Sequence, residues 1–217
     1  MELANYIDHT LLRPDALLSE VEQLCMEAIE YRFKAVCVSP YMLPTVVDLL
    51  KHATVKIAVV TAFPFGYAPI PSKVDEIRRV LEEDPDEIDA VINIAAAKNG
   101  NWKLVQNDME SMTVATQMRG KVIKMILETA LMTDDEIKRL CAICNAVGVN
   151  FAKTSTGYNG GATEAAVILM RSELDKAIKI KASGGISDYA TAIKMIAAGA
   201  DRLGCSRSVA VLGTRPK

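Results

Sequence analysis

Apolar positions along this chain fall into two alternating kinds of segment. Short unbroken runs such as Ala35-Val36-Cys37-Val38 and Val55-Lys56-Ile57-Ala58-Val59-Val60 are rich in β-branched residues, the character of parallel strands covered on both faces. Between them lie stretches with apolar residues at helical spacing. The first, after an extended Tyr6-Ile7-Asp8 and the pair Pro14-Asp15, sets Leu17, Leu18, Val21, Leu24, Cys25 and Ile29 on one helical face. A helical segment runs on to Lys51, and the loop Phe63-Pro64-Phe65-Gly66 leads to a helix in which Ser72 and Asp75 have capping-box spacing. Strand 88–92, a helix over about 102–118 and strand 122–127 continue the series. Thr133 and Glu136 form a second capping box, and Gly148 stops that helix. Strand 151–154, a helix after Gly160-Gly161-Ala162-Thr163, strand 178–181, a helix over 187–199 and strand 202–204 complete it.

Eight strands and at least seven helices in strict alternation predict an α/β fold with a parallel sheet, because parallel neighbours require a crossover of about a dozen residues or more. Eight units favour closure. An open doubly wound sheet usually has fewer strands and often a glycine fingerprint after the first, whereas Asp8-His9-Thr10-Leu11-Leu12 carries no glycine. The expectation is a single-domain (β/α)8, or TIM, barrel over residues 1–217, since no composition shift or linker divides the chain. With 25 Lys plus Arg against 27 Asp plus Glu, the net charge of −2 argues against nucleic acid or an anionic membrane as partner. The segment from Met1 to Asp8 lacks a basic-then-apolar leader, and no run reaches the roughly 20 apolar residues of a membrane span, so the cytoplasm is expected. Cys25, Cys37, Cys141, Cys144 and Cys205 are odd in number and sparse, as reduced thiols are.

A barrel of this kind carries its chemistry at the C-terminal ends of the strands. The polar residues there are Asp8, Cys37, Asp89, Asn93, Lys124, Glu128, Lys153 with Thr154 and Ser155, Lys181 with Ser183, then Ser206 and Arg207. Three lysines in apolar strands must leave water at a cost of several kcal/mol each. They are either snorkelling side chains and ion pairs with Asp89 and Glu128, or a reactive set. In the second case crowded cations depress one another's pKa, and a neutral amine attacks carbonyls to form a Schiff base. Asp89, buried beside them, is then a general acid/base. A further constellation is Ser183-Gly184-Gly185-Ile186-Ser187 with Gly204-Cys205-Ser206-Arg207, in the loops after the last two strands, where barrels commonly hold phosphate on backbone N–H groups at a helix N-terminus. A tight strand-to-helix turn is the plainer account of Gly184-Gly185. Gly157 and Gly160-Gly161 add a flexible rim loop.

Other motifs carry less. Cys141 and Cys144 lie on the apolar stripe with Ile137, Leu140 and Val147, which makes them core residues, not a metal pair. His9 and His52 are far apart, without a spaced carboxylate partner, and His52 falls near a helix end at the surface. Cys37 reads as a small buried hydrophobe in preference to a reactive thiol.

The words Ile7-Asp8-His9-Thr10-Leu11-Leu12, Val36-Cys37-Val38-Ser39-Pro40, Phe63-Pro64-Phe65-Gly66, Asp86-Glu87-Ile88-Asp89-Ala90-Val91-Ile92-Asn93, Ile126-Leu127-Glu128-Thr129, Lys153-Thr154-Ser155-Thr156-Gly157 and Lys181-Ala182-Ser183-Gly184-Gly185-Ile186 occur in order nearly end to end. Together they resemble the deoxyribose-phosphate aldolase family. The resemblance implies a class I aldolase on a (β/α)8 barrel, needing no metal or other cofactor. It would reversibly cleave 2-deoxy-D-ribose 5-phosphate to acetaldehyde and D-glyceraldehyde 3-phosphate in deoxyribonucleoside catabolism, usually as a homodimer or homotetramer. It matches Lys153 with the Schiff-base lysine, Lys181 with the lysine that keeps it neutral, and Asp89 with the proton-shuttling carboxylate. Asp8, Cys37 and Lys124 match pocket residues, and Thr156, Gly157, Gly184, Gly185 and Ser206 belong with the substrate-binding set. Three features depart from the family. Arg207 stands where a second serine is expected, the loop Tyr158-Asn159-Gly160-Gly161 is one residue shorter, and residues 213–217 lack a pocket tyrosine.

Overall fold

The computed structural model describes residues 2–215; Met1 and the pair Pro216-Lys217, both used above, lie outside the described residues. The chain alternates β1 (Ile7–Leu11), α1 (Leu18–Glu30), β2 (Ala35–Val38), α2 (Leu43–Leu50), β3 (Lys56–Thr61), α3 (Ile70–Val80) and β4 (Glu87–Val91). Two helices follow, α4 (Ile94–Lys98) and α5 (Trp102–Gln117), then β5 (Val122–Ile126), α6 (Asp134–Val147), β6 (Phe151–Lys153) and α7 (Glu164–Glu173). β7 (Lys179–Ser183), α8 (Tyr189–Ala197), β8 (Arg202–Cys205) and α9 (Ser208–Gly213) end the series. The strands pair in chain order, all parallel, and β8 returns to β1 through Ile7 opposite Leu203 and Asp8 opposite Gly204, closing the barrel.

Strand alternation sorts side chains between two cores. Outward residues such as Val36, Val59, Ile88, Met125, Ile180 and Leu203 pack against buried helix residues in one apolar layer. Inward residues are of another kind. Cys37, Ala58 and Val60 form a small apolar cluster on the β2–β3 side, covered by Leu12 and Phe63. The remaining strands point charge inward: the register sets Asp89 opposite Lys124, Lys153 opposite Lys181, and Lys181 opposite Arg202.

Local chemistry explains where the elements differ from expectation. On α1 the buried stripe is Val21, Leu24, Cys25 and Ala28, while Leu17, Leu18 and Ile29 are exposed. The Ser72–Asp75 capping box does not form, because α3 starts two residues earlier at Ile70, behind Pro69. The Thr133–Glu136 box does form, and Gly148 takes the left-handed conformation (φ 73°) that ends α6. α4 and α9 are additional to the expected helices. Asn93, expected among the polar strand-end residues, caps α4 by accepting from the Ala96 N–H at 2.9 Å. Cys141 and Cys144 are buried in the core as expected, and burial pushes the Cys141 thiol up to about 12. His9 does have a carboxylate partner, Glu27 of α1, at 2.7 Å from Nε2, and its Nδ1 meets the Ser208 hydroxyl of α9 at 2.9 Å.

Candidate active site

Seven charged side chains meet inside the barrel. Asp89 holds Lys124 at 2.7 Å through Oδ1, and through Oδ2 both Lys153 at 2.7 Å and Lys181 at 2.8 Å. Lys181 also pairs with Asp8, and Lys124 with Glu87 and, at 3.4 Å, with Asp8. Arg202 closes the network from below, 2.6 Å from Asp8 and 3.2 Å from Glu87. All seven are buried; Lys153, 2% exposed, is the one among them that reaches the cavity above together with the loops. Glu87 and Arg202 escape the sequence reading. Their signal is parity: Glu87 precedes Asp89 by two residues and Arg202 precedes Gly204 by two, so each shares an inward face.

Four basic groups therefore face three acidic ones, and they share those partners unequally. Burial lowers the Lys153 ammonium, Lys181 adds repulsion, and Asp89 alone is too little to offset both, so its pKa lies below the usual lysine value. Burial also opposes charge on Lys181, but Asp8 and Asp89 outweigh it and hold its pKa above normal. Lys124, against burial and with Asp89, Glu87 and Asp8 around it, is held well above normal. Asp89 shows the complement. Burial would raise its carboxyl, yet Lys124, Lys153 and Lys181 keep it well below the usual carboxylate range. Crowded cations thus do not depress one another alike; the carboxylates single out Lys153. Cys37 is fully buried with its thiol pushed up by burial and its Sγ 3.9 Å from Asp89, which favours the small-hydrophobe reading over the reactive one.

Above Lys153 lies a cavity of about 490 Å³. After β6 it is lined by Thr156, Gly157 and Tyr158, after β7 by Gly184 and Gly185, and after β8 by Ser206 and Arg207. Asp8, Cys37, Asp89, Lys124 and Lys181 lie beneath this space in the packed interior and do not line it. Gly184 has φ +81°, and a Cβ there would stand 2.9 Å from the Gly161 Cα and 3.2 Å from the Gly157 Cα, so only glycine lets the β6 and β7 loops meet. The expected anion site at the start of α8 is displaced: Gly184-Gly185 precede that helix by several residues, and the Asp188 carboxylate occupies its first-turn Thr191 N–H at 2.8 Å. The glycine amides are a loop feature, separate from the helix end.

Glu128 is not an ion-pair partner of the lysines. It accepts from the Thr156 N–H at 2.9 Å, the Thr156 hydroxyl at 2.5 Å and the Asn159 side-chain N–H at 3.1 Å, and so anchors the loop that follows Lys153. Ser183 donates to the Ser155 carbonyl at 2.6 Å, which ties the β7 end to the same loop.

A closed ring of eight parallel strands with a cavity at its C-terminal mouth places the chain among the (β/α)8, or TIM, barrels. The sequence matches the DeoC/LacD family aldolase over residues 3–209. The deoxyribose-phosphate aldolase of Thermococcus kodakarensis is 43% identical over 218 residues, covering 99% of this chain and 97% of the relative. That of Clostridium tetani is 42% identical, covering 98% of each. Among solved structures, the tetrameric deoxyribose phosphate aldolase from Aeropyrum pernix superposes with a TM-score of 0.91 at 32% identity, over 97% of this chain and 89% of that one. The chain belongs to the DeoC/LacD aldolase family. No helix among the described residues is long and apolar enough to cross a membrane.

Proposed function

We propose that this chain is a class I aldolase that reversibly cleaves 2-deoxy-D-ribose 5-phosphate to acetaldehyde and D-glyceraldehyde 3-phosphate. It works as a single domain spanning the chain, in a cytoplasmic homodimer or homotetramer of deoxyribonucleoside catabolism. The observation that carries the reading is the asymmetry among the three lysines that share Asp89: the amine that opens on the cavity is also the one of the three whose pKa is lowered. The family and its deoxyribose-phosphate aldolase relatives point the same way.

In this reading Lys153 Nζ attacks the C1 aldehyde of the open-chain sugar, and loss of water gives a protonated imine. The imine draws in the electrons of the C2–C3 bond as the C3 hydroxyl gives up its proton, leaving an acetaldehyde enamine on Lys153 and releasing D-glyceraldehyde 3-phosphate. Protonation of the enamine carbon and addition of water free acetaldehyde and the amine. Asp89 is the proton acceptor beside the imine, and Lys181, held protonated by Asp8, returns the proton. The phosphate sits on Gly184, Gly185, Ser206 and Arg207, with Thr156 and Gly157 along the sugar; Asp8, Cys37 and Lys124 shape the floor.

Borohydride reduction in the presence of acetaldehyde, followed by peptide mass mapping, tests this directly. One ethyl group on Lys153, absent in Lys153→Ala, is the expected result. Trapping only with dihydroxyacetone phosphate moves the substrate to a ketose phosphate, and no adduct with either ends the imine reading.

A further inference from the structure

Behind the charged interior, a buried polar contact joins β1 to the start of α9. His9 alternates with Asp8 along β1, so it faces outward, away from the lysines. Its Nε2 lies 2.7 Å from the Glu27 carboxylate of α1. Burial pushes the imidazole below its ordinary pKa against the pull of Glu27, so the ring is neutral. A carboxylate only accepts, so Nε2 carries the ring proton and Nδ1 is the acceptor. Its donor is the fully buried Ser208 hydroxyl at 2.9 Å. The same hydroxyl lies 3.1 Å from the Cys205 carbonyl oxygen.

That second contact links the pair to the cavity. Cys205 ends β8 opposite His9, and Ser208 opens α9, so the hydroxyl closes the base of the turn between them and ties that base to β1. At the tip of the turn stand Ser206 and Arg207, both exposed and both lining the cavity. Arg207 is also the N-cap of α9 and makes no side-chain capping bond there, so Ser208 supplies the anchor that a cap would otherwise give.

We propose that Ser208 and His9 are positioning residues for the phosphate end of the substrate: the buried hydrogen bond between them sets how Ser206 and Arg207 enter the cavity. This rests on the reading above, in which Ser206 and Arg207 hold the phosphate. An exposed turn that is fixed at its base loses less freedom when an anion docks at its tip, so the tie is felt as affinity for the phosphate. It leaves the amine alone, since the Ser208–His9 contact lies on the outer side of β1 and Lys153 on the inner side.

The test compares cleavage of 2-deoxy-D-ribose 5-phosphate with that of 2-deoxy-D-ribose in wild type, Ser208→Ala, Ser208→Thr, His9→Phe and the double variant Ser208→Ala with His9→Phe. The readout is the ratio of kcat/KM for the two sugars, which a general loss of stability does not move. Ser208→Ala lowers the ratio about tenfold, the worth of a buried hydrogen bond, through KM of the phosphorylated sugar. Acetaldehyde trapping on Lys153 stays that of wild type. Ser208→Thr keeps the hydroxyl and holds the ratio within about twofold of wild type, the scatter of independent effects. His9→Phe falls as Ser208→Ala does, and the double variant falls no further, because the two residues act as a unit. A Ser208→Ala ratio equal to that of wild type, or a Ser208→Thr ratio as low as that of Ser208→Ala, overturns the positioning role and spares the function. Wild type that traps acetaldehyde yet cleaves both sugars equally well overturns the phosphate reading beneath it, and absence of trapping overturns the imine.

Discussion

Replacing Lys181 with methionine removes one ammonium from the buried layer while keeping most of its hydrocarbon volume. Lys153 and Lys181 hold the same Asp89 oxygen at 2.7 and 2.8 Å, so their charges stand no more than about 5.5 Å apart. At an effective dielectric of about 20, that separation is worth about 3 kcal/mol of repulsion, or about two pK units at Lys153. The protonated form of Lys153 is the one relieved, so its pKa rises. Only the neutral amine attacks a carbonyl, and the rate climbs as pH passes upward through that pKa. The acidic limb of the profile therefore moves up by about two units, and on the limb the rate at a given pH falls about a hundredfold. The assay is the initial rate of acetaldehyde trapping on Lys153 across the pH range, which isolates imine formation from the carbon–carbon step. A variant whose rate falls while the limb stays in place would refute the electrostatic reasoning and leave Lys181 with proton transfer alone.

Three further outcomes are expected. Arg207→Ala, which removes the guanidinium lining the cavity beyond Ser206, raises KM for D-glyceraldehyde 3-phosphate about tenfold, the low end for a charge-assisted bond at an exposed rim, and leaves acetaldehyde trapping unchanged; an unchanged KM means the side chain does not meet the phosphate. Asp8 and Asp89 have folded-state pKa values below 3.8, so as pH drops past that value the unfolded chain gains protons that the folded chain refuses. Stability is thus full above about pH 5 and drains below about pH 4, and thermal unfolding measured against pH shows a plateau and then a fall, with a flat curve counting against the network. Asp108→Ala strands the Lys73 ammonium, which is 0% exposed and pairs with Asp108 at 2.7 Å behind β4. It lowers stability by about 3 kcal/mol, on the order of 10 °C in Tm, while the pH profile of trapping stays that of wild type. A variant as stable as the parent would mean that Lys73 simply sheds its proton.

The barrel was legible because parallel strands buried on both faces give short, largely apolar runs between helical stretches, interrupted here by the inward-facing charges. What escaped was short or context-bound. α4 and α9, of 5 and 6 residues, are too brief to show a helical period. Ser72 and Asp75 have the same spacing as Thr133 and Glu136, but a helix that already starts at Ile70, with Pro69 at its N-cap, has no use for the later cap. Leu17, Leu18 and Ile29 fit a helical face without being buried by it, since periodicity locates a stripe only to within a residue or two at its edges. In the site, Lys124, Lys153, Lys181 and Asp89 declared themselves as charges inside apolar strands. Glu87 and Arg202 begin their strands, where a charge looks like a surface residue, and only barrel closure brings Arg202 to Asp8, 194 residues away in sequence. Glu128 looked like a lysine partner, but it lies past the end of β5 and turns to the loop after β6.

Barrel closure also decides which lysine is reactive. Lys124 meets three carboxylates, Lys181 two and Lys153 one, and the direction of each pKa follows that order. A layer of four basic and three acidic groups has one cation without a matching anion, and the cost of desolvating it falls on the group with fewest partners. Lys153 is that group, and its position at the top of β6 also puts it against the cavity. Adding one carboxylate within reach of Lys153, or removing the basic groups around it, would fill the deficit and keep its amine protonated. The reactivity is therefore a property of the whole ring, written into strands as far apart as β1 and β8, and no single strand carries it.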